Sequence, residues 1–321
     1  MSCQHYNRRQ FLKQAVVTGL SATVLPWIDC IKTQTKEMQM KGSVPTITGL
    51  AIARGADDPT LLVREAIKAA GGIQKFISKG DIVIIKPNIG WSRTPEQAAN
   101  TNPEIVETVI ELCMEAGAKK VKVFDLPCNP TPRAYRMSGI ETTAKKAGAD
   151  IYFMDDRKFR DITIPMGEAV KSWRMYTEIF EADKLINIPI LKHHSMARLT
   201  MGMKNNMGLI GGNRESIHTQ FDQKLVDLCT VIKPHLTIMD AYRVLTANGP
   251  NSGTPDDVVL AKHVIVGTDP IAVDSYGVQL FGTITNQPLT AHDIEYIRLG
   301  NLAGLGEIDL SKISVNEIDL S

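Results

Sequence analysis

Between Leu191 and Arg214 the chain concentrates groups that bind anions and move protons. It runs Lys192-His193-His194, then Lys204-Asn205-Asn206, then Arg214, broken by Gly202, Gly208, Gly211 and Gly212 and followed by His218. An imidazole is the side chain whose ordinary titration lies nearest neutrality, which suits proton transfer or metal ligation. Glycines let backbone amides approach a ligand, and amides with ammonium groups cradle a carboxylate or phosphate. No Gly-Lys-Ser/Thr and no dinucleotide fingerprint is present, so a nucleotide loop is not indicated. A purely structural loop is the plainer alternative, but such length, glycine content and polarity make poor scaffolding.

These residues define the expected site. His194 is the expected acid/base. Lys204 is expected to bind the substrate anion or tether a cofactor, and Asp240 or Asp274 to align a histidine or hold a metal. Lys86, Asn88, Lys192, Asn205, Asn206, Gly208 and Arg214 are expected around the substrate, and His194 with His218 are the candidate metal ligands. His263, inside an apolar strand pattern, reads as structural. Asp269 reads as a helix cap, and Asp274 falls on the first turn of that helix, where it would face a crevice.

The elements that must position these groups alternate. Strand-like runs at 47–53, 81–86, 121–124, 151–154, 184–191, 235–239 and 258–266 are separated by helix-like runs at 59–70, from 103 to about 117, 132–147, 221–232, from 270 to about 281, and 290–298. Asp58-Pro59 and Asn102-Pro103 are capped starts with proline at the first helical position. The run Ile82-Val83-Ile84-Ile85 is apolar without alternation, as in a strand buried on both faces. The expected fold is therefore α/β, a mainly parallel sheet with helices on both faces, with any division into two lobes at 155–180. Ligands of such sheets bind beyond the C-terminal strand ends, where Lys86, Asn88, Asp125, His193, His194 and Asp240 stand.

Composition narrows the function class. The 321 residues carry 36 basic and 35 acidic side chains. That balance, with no basic stripe among aromatics, gives no grip on nucleic acid. Cys113, Cys128 and Cys229 are scattered through the body, too few for a four-cysteine cluster, so no iron–sulfur centre is expected from this chain alone. Cys113 and Cys229 lie in apolar helical patterns and read as buried. Cys128 follows a strand end and is the thiol to watch.

The N-terminus reads Asn7-Arg8-Arg9-Gln10-Phe11-Leu12-Lys13, then a diluted apolar run from residue 15 to 28. This resembles a twin-arginine signal, with Asn7 in place of the usual hydroxyl residue. The apolar run falls short of the ~20 residues of a membrane span. The resulting organisation is a signal segment at 1–30, a polar tether at 31–45, an α/β domain at 46–300 and a tail at 301–321. The expected location is periplasmic or exported, tethered to the membrane if the signal is retained, and the expected partners are the twin-arginine machinery and a small anionic molecule.

Four stretches resemble the family called domain of unknown function 362. They are Ile84-Ile85-Lys86-Pro87-Asn88 with Thr101-Asn102-Pro103, Leu191-Lys192-His193-His194 with Thr200 to Gly208, Pro234 to Asp240 with Asn248-Gly249-Pro250, and Thr268 to Asp274. Some members carry a ferredoxin module that this chain lacks. The loop is also remotely similar to that of nickel-pincer lactate racemases, in which a histidine serves as acid/base and a lysine ten residues on holds the cofactor. His194 and Lys204 reproduce that interval; His218 does not match the next, and the glycine pair before the lysine is absent. The resemblance implies a transition metal, nickel or iron, as cofactor. Two function classes follow: an enzyme on a small carboxylate, either isomerase- or racemase-like or a metal-dependent oxidoreductase, and a non-catalytic periplasmic carrier of an anion or metal cofactor.

Overall fold

The computed structural model describes residues 38–44 and 49–321. The signal segment and residues 31–37 and 45 of the expected tether lie outside the described residues. Residues 38–321 group as one compact unit.

The chain enters through β1 (Leu50–Arg54) and α1 (Pro59–Ala69), whose first turn is capped by the Asp58 carboxylate accepting from Thr60 N at 2.8 Å. β2 (Ile82–Pro87) follows, then α2 (Pro103–Glu115), capped by Asn102 accepting from Glu104 N at 3.0 Å. Next come β3 (Lys120–Val123), the short helices α3 (Thr131–Met137) and α4 (Ile140–Lys146), and β4 (Asp150–Ile151). β5 (Phe159–Thr163) and β6 (Ser172–Tyr176) pair as a separate antiparallel hairpin. After α5 (Glu178–Glu181) run β7 (Lys184–Ile188), β8 (Ile190–His194), β9 (Arg198–Thr200) and the single turn α6 (Gly202–Asn205). The chain ends with α7 (Phe221–Cys229), β10 (Leu236–Leu245), β11 (Val258–Gly267), α8 (Pro270–Thr285), α9 (Glu295–Leu302) and β12 (Val315–Asp319).

The main sheet has the order β12-β1-β11-β10-β7-β2-β3-β4, with β8 pairing β10 and β9 pairing β8. From β10 to β4 all neighbours are parallel, whereas β11 runs antiparallel to both β10 and β1. It is a mostly parallel mixed sheet with apolar layers on both faces. Val83 and Ile85 belong to the apolar layer that α1, α2 and α4 help to build, while Ile84 belongs to the other, which includes residues of α7, α8 and α9. Fully burying one such side chain contributes ~1.5–3 kcal/mol, so the unbroken apolar run of β2 anchors the centre.

Several elements depart from the sequence reading. The expected strand at 184–191 is two strands, because Pro189 offers no amide to the ladder and its carbonyl accepts from Asp240 N at 2.8 Å. The expected helix at 132–147 breaks at Gly139, which has φ +76°. The 155–180 segment holds the β5–β6 hairpin, and its Met175 bridges Ile210 at the end of the glycine-rich segment. Residues 301–321 are not a free tail, since β12 lies parallel to β1 with Leu50 opposite Val315.

Candidate functional site

The C-terminal ends of β2 and β3, the strand β8 and the segment from α6 to His218 surround one cleft of about 640 Å³. Its charged and titratable lining comprises Lys86, Asp125, Cys128, Lys192, His194, Lys204, Arg214, Glu215 and His218. Asn88, Asn205 and Gly208 of the expected substrate set line it too. Four cations therefore face two carboxylates across one opening.

Lys86 is the buried post of the site. Its Nζ lies 2.8 Å from Asp125 Oδ1 and donates to Pro87 O at 2.8 Å and Asn205 Oδ1 at 2.9 Å. An ammonium has three donors, and all three are used, so Lys86 has none for a ligand. This corrects its expected role: it builds the site rather than binding in it. Asp125 is equally committed, accepting from Ile89 N at 2.6 Å and Leu126 N at 2.9 Å. Burial lowers the Lys86 pKa, and the Asp125 charge opposes that fall.

Asn205 ties three segments together. Its Oδ1 also accepts from Asn88 Nδ2 at 3.0 Å, and its Nδ2 donates to Asn187 Oδ1 at 2.8 Å and Lys86 O at 3.2 Å. The glycines around it do not open a cradle of amides. Gly202 N and Met203 N donate to the Asp274 carboxylate at 2.7 and 3.0 Å. At Gly208 an added Cβ would overlap the Asp125 carboxylate and stand 2.6 Å from Lys86 Nζ. Both positions make room for buried carboxylates of the chain itself, which corrects the expectation that these glycines admit a ligand.

The groups left free are Lys192, Lys204, His194 and Arg214. Lys192 donates to Ala99 O and, at 3.4 Å, to Asn88 Oδ1, leaving one donor. Burial and then the charge of Lys204 push its pKa down to about 7. Lys204 Nζ lies 6.0 Å from the Phe221 ring centre and makes no hydrogen bond or ion pair among the described residues. Its pKa falls to about 8, chiefly through burial, with Arg214 and Lys86 adding to the fall. Arg214 spends Nη1 on Leu126 O and Pro127 O at 3.1 and 3.3 Å, and its other nitrogens have no partner among the described residues.

His194 departs from the sequence reading. Its Nδ1 accepts from Met196 N and Ala197 N, both at 3.2 Å, so the neutral ring carries its proton on Nε2. Burial, then Lys204 and Lys192, push its pKa down to about 2. In the ligand-free cleft it is a neutral hydrogen-bond donor, not an imidazole titrating near neutrality.

Four other expected residues stand apart. Asp240 is fully buried outside the lining; it accepts from Asn102 N at 2.7 Å and Tyr242 N at 3.0 Å and so fastens α2 to β10. Burial raises its pKa to about 6. Asn206 turns to a second cavity of about 210 Å³, where its Nδ2 donates to Cys229 Sγ at 3.5 Å. His193 accepts from Gly249 N at 3.1 Å and holds the 248–250 turn. Asp274, expected at the crevice, is instead the buried acceptor behind α6, its pKa raised to about 7 by burial.

Among the lining residues not singled out beforehand, one has a buried polar side chain to offer a ligand. Thr200 is 2% exposed, its hydroxyl has no partner among the described residues, and it faces the cleft from the end of β9. It sat inside what reads as a glycine-rich loop, and only the pairing of β9 with β8 turns it inward. As for metals, no group of three His, Cys, Asp or Glu side chains among the described residues comes together to hold an ion. His194 and His218 share the cleft, but with Nδ1 of His194 committed they offer two imidazoles at most. That donor set does not fit a bare divalent ion, which takes three or four protein ligands in such sites.

Fold and site together define an α/β protein with a cation-lined cleft at the carboxyl edge of its parallel strands. The chain belongs to the family described as domain of unknown function DUF362, whose model matches residues 83–279. It is 30% identical over 206 residues to a thylakoid-associated protein of Synechocystis sp., covering 62% of this chain and 63% of that protein. Among solved structures it is similar to a Thermotoga maritima protein (TM-score 0.40, 10% identity, 78% of this chain and 60% of the other). It is also similar to the lactate racemase apoprotein of Thermoanaerobacterium thermosaccharolyticum (TM-score 0.36, 14% identity, 70% of this chain and 55% of the other). No helix among the described residues is long and apolar enough to cross a membrane.

Proposed function

We propose that the protein is an enzyme acting on a small carboxylate by acid/base chemistry in this cleft. The observation that carries the reading is Lys204, an amine without a partner among the described residues, held near neutrality beside a second depressed lysine and a free guanidinium edge. The remaining donor of Lys192 and the free nitrogens of Arg214 bind the carboxylate, because charge-assisted hydrogen bonds to an anion are the strong ones. His194 offers Nε2–H to an oxygen on which negative charge develops. Lys204, with its pKa near working pH, takes and returns the proton. A bound carboxylate raises the pKa of Lys192, Lys204 and His194 by supplying the missing negative charge.

Glycolate, the smallest hydroxy carboxylate, tests the binding half. Calorimetry is expected to show one site, and Lys192→Met to weaken it ~10–100-fold, the loss of one charged hydrogen bond. The catalytic half is tested by deuterium uptake at C2 of small 2-hydroxy and 2-amino carboxylates in heavy water. Binding with no exchange across that panel would sink proton transfer at C2 of hydroxy and amino acids as the reaction. For location, the twin-arginine pattern at Arg8-Arg9 supports export from the cytoplasm, in keeping with a relative described as thylakoid-associated.

A further inference from the structure

Three lysines reach one cleft, and hydrogen bonding separates them. Lys86 has no donor to spare, and Lys192 is held by Ala99 O and Asn88 Oδ1. Lys204 alone of the three has its nitrogen unengaged among the described residues, and it is carried on a rigid turn that Asp274 fixes through two amides. Around it stand a neutral His194 with its proton on Nε2 and, with no partner among the described residues, the Thr200 hydroxyl and one edge of Arg214. An amine in such a place can do more than exchange a proton, since the neutral form that accepts one is also a nucleophile.

We infer that Lys204 forms a covalent imine with its substrate, and that the substrate class is therefore a carboxylate bearing a neighbouring carbonyl, a 2-oxo acid. This rests on the carboxylate reading above and narrows it. The Lys204 nitrogen lone pair forms the N–C bond while the carbonyl π pair moves to oxygen. The two protons leaving nitrogen pass to that oxygen, the C–O bond breaks, and water departs as the C=N bond forms. Amine plus carbonyl give imine plus water, with no oxidant or reductant required. Arg214 and Lys192 hold the carboxylate during addition, and His194 Nε2–H and the Thr200 hydroxyl meet the oxygen as it gains charge.

The test uses the full chain with glyoxylate, the smallest 2-oxo acid, and cyanoborohydride to trap the imine, followed by peptide mass mapping. One carboxymethyl adduct is expected on the Lys204 peptide. Its rate should rise about tenfold per pH unit below about 8, following the neutral fraction of the amine. Glycolate, which has no carbonyl, should compete. Lys204→Arg, which keeps the charge, and Lys204→Met are both expected to abolish that adduct while glycolate still binds the arginine variant. Adducts spread over surface lysines to the same extent in wild type and Lys204→Arg, with glycolate bound normally, would overturn the imine and leave the acid/base reading standing. Failure of glycolate to bind the wild-type chain would overturn the carboxylate reading itself, and the imine with it.

Discussion

Lys192 and Lys204 bring their ammonium groups out of water with no carboxylate among the described residues paired to them, and the folded chain pays for this as a shift in titration. In the unfolded chain both protonate near 10.5, whereas in the fold the values are about 7 and about 8. Between those limits the unfolded state binds more protons, so stability rises with pH from about 7 to about 10 and is lost as pH falls through the folded values. Denaturant midpoints measured across that range are expected to climb in the ligand-free protein. Lys204→Met should flatten the climb, and saturating glycolate should flatten it too by returning the amines towards their ordinary values. A midpoint that is level or falling over this window would contradict the burial of two unpaired ammonium groups.

The segment from Thr200 to Leu209 shows how glycine serves an element rather than a ligand. The turn α6 and the single 3₁₀ turn after it, Asn206–Leu209, come so close to the ends of β2 and β3 that any Cβ on Gly208 would run into the Lys86–Asp125 pair. The contact is closed by Leu126 N donating to Gly208 O at 3.1 Å. Gly208→Ala is therefore expected to push Asp125 off Lys86 and leave a buried charge with a broken partner. A loss of about 3 kcal/mol or more in unfolding free energy follows from breaking a buried pair on one side. Chemical denaturation of the alanine variant measures this, and wild-type stability in that variant would mean the pair can move aside without cost.

At the scale of the whole molecule, the cleft forms where the sheet changes character. From β10 onward through β7, β2 and β3 the strands run parallel, and β10 itself meets β11 antiparallel. Parallel strands deliver their C-terminal ends to one edge, so Lys86, Asp125 and the β7–β8 segment arrive together. A body that must acquire this buried charge network before use suits export in the folded state. Changing Arg8 and Arg9 together to Lys keeps the charge of the N-terminus and removes the guanidinium pair. Cell fractionation in a bacterium that has the twin-arginine machinery is expected to show the variant retained in the cytoplasm, and an unchanged distribution would remove the case for that route.

The alternation of apolar runs with capped helix starts was readable because it depends on local periodicity: β2, α1 and α2 lie within a residue or so of where the pattern put them. The membership of the cleft was readable in part for the same reason, since strand ends in a parallel sheet converge whatever the loops do. Lys86, Asn88, Asp125 and His194 were found this way, whereas Lys192, Lys204, Asn205 and Arg214 stood out by the crowding of cations and amides in one glycine-rich segment. The roles were decided only in three dimensions. Lys86 became a post because the side chains of Asp125 and Asn205, far away in sequence, use up its donors together with the neighbouring Pro87 O, and Asp240 became a fastener because the distant Asn102 N donates to its carboxylate. Thr200 entered the site through a strand pairing, β12 left the expected tail to cover β1, and His194 lost its proton affinity first to burial and then to the charges of Lys204 and Lys192. Residue type and period specify which groups a chain can offer; burial and the partners met across the fold determine which of them remain free to act.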